Sequence, residues 1–79
     1  MIEYIHGTIA ELTPTYAVID CGGIGYLLNI SLPTFTPLEG STSANPLAHD
    51  VIREDPPVLF GFIDEQERSS FLLLIGVSG

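Results

Sequence analysis

Short runs of strand-forming residues, each closed by glycine or proline after about ten residues, constrain this chain more than anything else in it. Residues 2–12 alternate imperfectly, with Ile2, Tyr4 and His6 on one parity and Ile5, Gly7 and Ile9 on the other. A long, strongly bent strand gives that pattern, with Gly7 at the bend. Thr13-Pro14-Thr15 makes a turn into a second strand over 16–20, and Gly22-Gly23 closes a tight hairpin, where glycine accepts the positive φ such turns require. A third strand follows over 25–30. Residues 33–46 read as loop, and the stretch from Gly40 to Pro46 as too small and polar to pack. The fourth and fifth strands fall at 47–53 and 58–62. Five short strands with glycine at the bends predict a mainly β chain folded as a small closed barrel.

The last two strands flank a turn that carries adjacent carboxylates, Glu54 and Asp55. Pro56-Pro57 stiffens that turn and removes two backbone donors, so the fifth strand is expected to pair only from about Val58. The reading is a hairpin that thrusts negative charge outward. Its ordinary explanation is a solvated tip, since turns are polar for local backbone reasons.

A helix follows. Asp64 caps it, Glu67 stands at the capping-box position, and Glu65 and Glu67 sit where the helix dipole favours negative charge. Phe71, Leu72 and Ile75 share one face, whereas Leu73 and Leu74 fall on others, so the helix end is apolar nearly all round. Such a helix is expected to bury its second face against something outside this chain; the alternative is a helix wedged against its own barrel. Gly76-Val77-Ser78-Gly79 adds no closing element, which reads as a piece of a longer protein.

Composition bounds the function. Seventy-nine residues make one small domain, and a chain of that size buries only roughly 60–65% of the surface its unfolded form exposes. A hydrophobic content of 46% against 15% charged residues argues against disorder. No apolar run reaches the length of a membrane span, and the first residues lack the pattern of a secretory signal. A single cysteine, Cys21, excludes an intrachain disulfide and fits a reducing cytosol. Ten acidic residues face two arginines, Arg53 and Arg68, with no lysine, for a net charge of −8. Gripping nucleic acid through phosphates needs clustered Lys or Arg, so this chain cannot do it alone.

Catalytic chemistry finds no support. His6 and His49 have no metal-ligand spacing with Cys21 or with each other, and two adjacent carboxylates at a turn do not shape a Mg²⁺ site. No phosphate-binding glycine-lysine loop occurs, and Ser69-Ser70 has no nearby base. The expectation is a non-catalytic chain without cofactor or metal.

Several of these pieces together resemble one family. Met1-Ile2 opening a strand with Gly7, the run from Val18 to Tyr26 around Gly22-Gly23, Ile52-Arg53-Glu54-Asp55, Leu59-Phe60-Gly61-Phe62, and Glu67-Arg68 with Phe71 and Leu72 occur in the order and spacing of RuvA, the Holliday-junction-binding subunit of the bacterial RuvAB branch-migration complex. The resemblance covers essentially the whole chain, as an N-terminal domain. It implies a five-stranded OB-type barrel over 1–63, a helix over 64–75 leading into a missing helix-hairpin-helix domain, and the start of that domain at 76–79. It makes Glu54 and Asp55 the family's acidic pin, with Arg53 as candidate pin support or a local structural partner. It also makes Leu73 and Leu74 candidate interdomain or oligomer contacts. The implied setting is a cytoplasmic bacterial homotetramer on an open four-way DNA junction, acting in recombination and DNA repair. The RuvB ATPase motor is reached through a missing C-terminal domain, and the RuvC resolvase is a candidate partner. The double proline after the pin and the absence of lysine depart from the family pattern.

Two other classes stay open beside this one. One is a purely structural or oligomerisation module with an inert acidic tip. The other is a stand-alone OB module that stacks single-stranded bases on Tyr4, Tyr16, Tyr26, Phe60 and Phe62, which a charge of −8 opposes.

Overall fold

A computed structural model of the chain describes residues 2–51 and 58–76. The elements run β1 (Gly7–Leu12), β2 (Tyr16–Cys21), β3 (Ile24–Asn29), α1 (Leu32–Leu38), β4 (Ser43–Ala44), β5 (Leu47–Val51), β6 (Val58–Phe62) and α2 (Glu65–Leu74). The sheet order is β4-β1-β2-β3-β6-β5. All neighbours are antiparallel except β3 and β6, which meet in parallel at Asn29 and Phe60.

The first strand makes the sheet curl. Its leading residues leave the sheet order and pair with the far edge instead. Tyr4 bridges Leu47, the Ile5 N–H donates to the Pro46 carbonyl at 3.1 Å, and the Ala48 N–H donates to the Glu3 carbonyl at 2.9 Å. From Gly7 onward the same strand pairs with β2 and β4. The switch happens at Gly7, where a side chain has no room: a Cβ there would lie 2.3 Å from the Asp20 carbonyl oxygen. A register shift between Ile9 and Glu11 adds to the curl, as bulges do by increasing local twist. The expected long bent strand is therefore present, with its bend where the glycine stands.

The β2–β3 hairpin follows from its two glycines. Cys21 pairs with Ile24 across a two-residue loop, with φ of 62° at Gly22 and 98° at Gly23. That double positive φ matches the twist of the flanking strands. The Asp20 carboxylate accepts the Gly23 N–H at 2.8 Å and ties the loop down.

Two expectations are overturned. Residues 33–46 are not a bare loop: 32–38 form α1, a two-turn helix started by Pro33 in its first turn, where a missing N–H is no loss. The backbone carbonyl of Ser31 receives the Thr34 and Phe35 N–H groups, and Thr34 and Leu38, one turn apart, form the buried face. The stretch 40–46 also packs. Ser43 and Ala44 pair with Thr8 and Gly7 as β4, and Ala44 joins the core. The five expected strands are all present, and β4 makes a sixth of two residues.

The core lies inside the curl: Ile5 of the leading segment, Ala17 and Ile19 of β2, Leu28 of β3, Leu38 of α1, Ala44 of β4 and Ala48 of β5. Leu28 and Ile19 are fully buried at the centre of the sheet, and so is the one buried polar side chain among the described residues, Thr34.

Candidate functional site

The hairpin of β5 and β6 is held from three sides before it reaches the segment that carries the acidic pair. Its register is unbroken from Leu47 opposite Phe62 to Val51 opposite Val58. The Asn29 side-chain amide donates to the Leu59 carbonyl at 3.1 Å, which joins β3 to β6 beside their single parallel bridge. On the other arm the Asp50 carboxylate accepts the Ile2 N–H at 3.0 Å. That hydrogen bond holds the Asp50 carboxyl below the usual carboxylate range, against the opposing effect of burial. Underneath, Phe71 of α2 packs on Phe60 and Phe62 with ring centroids 4.8 and 5.2 Å away, and on His49 at 6.2 Å. Aromatic pairs at such spacings contribute beyond their buried area.

Val51 and Val58 are the last described pair of the two strands. Arg53, Glu54, Asp55 and Pro56-Pro57 lie outside the described residues, as do the ends of the expected fourth strand beyond Val51. The expectation that β6 pairs only from about Val58 rests on Pro56 and Pro57, which lie outside the described residues; the described pairing includes Val58 opposite Val51.

Helix α2 begins as the sequence indicates and then departs from it in one detail. Asp64 accepts the Glu67 N–H at 2.8 Å. The Glu67 carboxylate does not return to Asp64; it accepts the Ile63 N–H at 3.1 Å and the hydroxyls of Thr34 and Ser31. Its sequence neighbour Arg68 reaches the opposite way, to the Glu3 carboxylate at 2.6 Å and that of Glu65 at 2.5 Å, and it donates to the Glu3 carbonyl at 3.0 Å. These two carboxylates raise the guanidinium pKa above its ordinary value. Among the described residues Arg68 is the only Lys or Arg, and it is occupied by acids of its own chain.

Leu73 and Leu74 are 74% and 87% exposed. Ile75, expected to share a helix face with Phe71 and Leu72, is instead the C-cap and is 44% exposed. A cleft of about 360 Å³ runs between β3, β6 and α2, lined by Ile30, Phe60, Phe62, Glu67, Phe71 and Leu74 among others.

The aromatic residues do not form a stacking platform. Phe60 and Phe62 face Phe71, Tyr26 is half-buried against the core, and the Tyr16 hydroxyl donates to the Glu11 carboxylate at 3.0 Å. Tyr4 alone of the five is largely exposed. His6 is exposed and His49 packs as a strand residue. Cys21 is free, its thiol donating to the His6 carbonyl at 3.3 Å. No described helix is long and apolar enough to cross a membrane. Thr34 and its contact with Glu67 escaped sequence reading, because the partner lies in a run that read as loop.

Comparison with known proteins gives a consistent answer. The family described as RuvA N terminal domain matches residues 1–61. Over all 79 residues the chain is 58% identical to the Holliday junction branch migration complex subunit RuvA of Bacteroides fragilis and 54% identical to that of Bacteroides thetaiotaomicron. It is 43% identical to that of Lactococcus lactis. The chain spans 39% of the length of the two Bacteroides relatives and 40% of the Lactococcus one.

Proposed function

The chain belongs to the RuvA N terminal domain family, and from that membership we propose that it serves as the N-terminal barrel of a Holliday-junction branch-migration subunit, where it presents Glu54 and Asp55 to the junction centre. The observation that carries this reading is the hairpin: β5 and β6 are anchored by Asn29, Ile2 and Phe71, and their last described pair, Val51 and Val58, flanks the acidic segment on both sides.

The role is exclusion rather than grip. The chain carries a charge of −8, and its described guanidinium is paired internally, so the phosphate contacts that supply affinity come from elsewhere in the full-length protein. In a homotetramer the four copies gather about eight pin carboxylates where the duplex arms meet. At ~6 Å from a phosphate each carboxylate adds about 0.7 kcal/mol of repulsion in water, or ~3 kcal/mol at an effective dielectric of about 20. Summed over several pins, this discourages an unbranched duplex from settling across the centre and keeps separating strands apart as they cross it. Base pairs broken and remade at the crossover nearly cancel, so modest steering suffices. Arg53 supports the pin locally.

In this reading residues 1–63 are the barrel, 64–75 the helix leading into a helix-hairpin-helix domain that holds DNA, and 76–79 its first residues. Leu73 and Leu74 contact that domain or a neighbouring subunit. The subunit is non-catalytic and cytoplasmic; the motor is RuvB, reached through a further C-terminal domain, and the resolvase RuvC acts on the same junction.

The test is site-specific photo-cross-linking. A full-length relative is built with this chain as its N-terminal residues and a photoreactive side chain at position 54, then bound to a labelled four-way junction. Cross-links confined to nucleotides at the crossover are expected. Cross-links spread along the arms, or none to DNA, would replace this reading with that of a structural module whose acidic tip is inert.

A further inference from the structure

We propose that Glu67 is a positioning residue: with Arg68 it forms a two-sided polar clamp that sets the direction in which α2 leaves the barrel. That direction bears on DNA only through the reading given above, but the clamp itself is testable without DNA.

Helix α2 contains no buried residue. Its barrel-facing stripe is Glu67, Arg68, Phe71 and Leu72, each half-buried, so a polar turn precedes an apolar one. The apolar turn is a pivot. Phe71 rests on three rings, and dispersion between rings changes little when a helix rocks or rolls by a few degrees. Hydrogen bonds do have directional preference, and they lie one turn earlier.

Glu67 takes three donors at once: the Ile63 N–H and the hydroxyls of Thr34 and Ser31. Thr34 is fully buried, and its hydroxyl oxygen also accepts the Ile63 N–H, at 3.0 Å. With that lone pair taken, its single proton is directed at the Glu67 carboxylate. The contact ties α2 to α1, 33 residues away in sequence. Arg68, about 100° further round the helix axis, ties the same turn to Glu3 of the leading strand. Two anchors on opposite flanks and one pivot fix a rigid rod; removing either anchor leaves it free to swing about the pivot.

The test uses this 79-residue chain, partially aligned, with residual dipolar couplings read for barrel and α2 amides in the wild type and in Glu67→Ala, Glu67→Gln and Thr34→Val. The clamp predicts that barrel couplings and the helical carbon shifts of α2 stay as in wild type. Its α2 couplings fall by about half in Glu67→Ala and Thr34→Val through swinging on a sub-millisecond timescale, and Glu67→Gln, which keeps an acceptor, restores most of the loss. Undiminished α2 couplings in both Glu67→Ala and Thr34→Val would overturn the proposal. So would loss of the helical shifts in Glu67→Ala with Thr34→Val silent, because Glu67 would then hold the helix together rather than aim it. Should Glu67→Ala unfold the barrel, Thr34→Val and Ser31→Ala, which leave the helix sequence untouched, decide the matter by the same couplings. Failure of this test leaves the junction reading standing, and failure of the cross-linking test leaves the clamp standing.

Discussion

Replacing Gly7 with alanine tests how the barrel closes. At Gly7 the first strand stops pairing with β5 and begins pairing with β2 and β4. The added Cβ would sit 2.3 Å from the Asp20 carbonyl oxygen and 3.0 Å from Ile19 Cγ2. The nearest atom is backbone in a paired strand, so no flexible side-chain tip can yield, and one strand must move by about 1 Å to reach ordinary contact. Overpacking of this kind costs roughly 1–3 kcal/mol. Lower entropy of the unfolded chain returns about 0.4–1 kcal/mol. A domain of this size is stable by roughly 4–12 kcal/mol, so Gly7→Ala removes a sizeable share without preventing folding. With a urea m value of about 1 kcal/mol per M, the midpoint followed by far-ultraviolet circular dichroism is expected to fall by roughly 1–2 M. Gly22→Ala is the control, since it meets nothing within 4 Å and pays only for its positive φ. A Gly7→Ala chain as stable as wild type would refute the argument that close backbone approach at this residue makes the bend.

Three further outcomes follow from the polar contacts. Arg68→Gln is expected to lower stability by about 1 kcal/mol at low ionic strength, because the acids it meets are largely exposed and screened; a loss undiminished in about 1 M salt would show that the ion pairs are not its cause. The depressed folded pKa of Asp50 means that its contribution is present above the ordinary carboxylate range and is lost as pH falls through the folded value; Asp50→Asn is therefore expected to flatten the urea midpoint between neutral and acidic pH, and an unchanged acid profile would rule this out. The Tyr16 phenol is raised by its hydrogen bond to Glu11 and by that carboxylate's charge, so its contribution is present below the ordinary phenol pKa and lost as pH rises through the folded value. Absorbance titration at alkaline pH is expected to show one tyrosine ionising late in wild type and earlier in Glu11→Gln; coincident curves would remove the contact from solution.

What could be read from the residues was what short-range chemistry decides. The Gly22-Gly23 hairpin, the bend at Gly7 and the Asp64 cap each depend on one or two neighbouring residues, and each stands where expected. Helix α1 was hidden by Pro33 and Pro37, which signal a loop on their own; they are tolerated because the helix has only two turns and Thr34 and Leu38 bury its inner face. Strand β4 was hidden by its length, since two residues carry no periodicity, and by Ala44, whose small side chain fills core space beside Gly7. The Glu67–Thr34 contact joins residues far apart in sequence, and nothing local in either announces the other. For the candidate pin, the charge was legible at Glu54 and Asp55, whereas the anchoring of β5 and β6 through Asn29, Ile2 and Phe71 needed the folded chain.

The exclusion claim meets its most direct test in a full-length relative carrying this chain as its N-terminal residues, with Glu54→Gln and Asp55→Asn introduced together. Affinities for a four-way junction and for a linear duplex of matched length are measured at one fixed salt concentration. Loss of the pin repulsion is expected to tighten duplex binding by about tenfold, corresponding to ~1.4 kcal/mol, with a smaller change at the junction, so that the preference for branched DNA narrows. A preference that stays the same after both charges are removed would contradict the account.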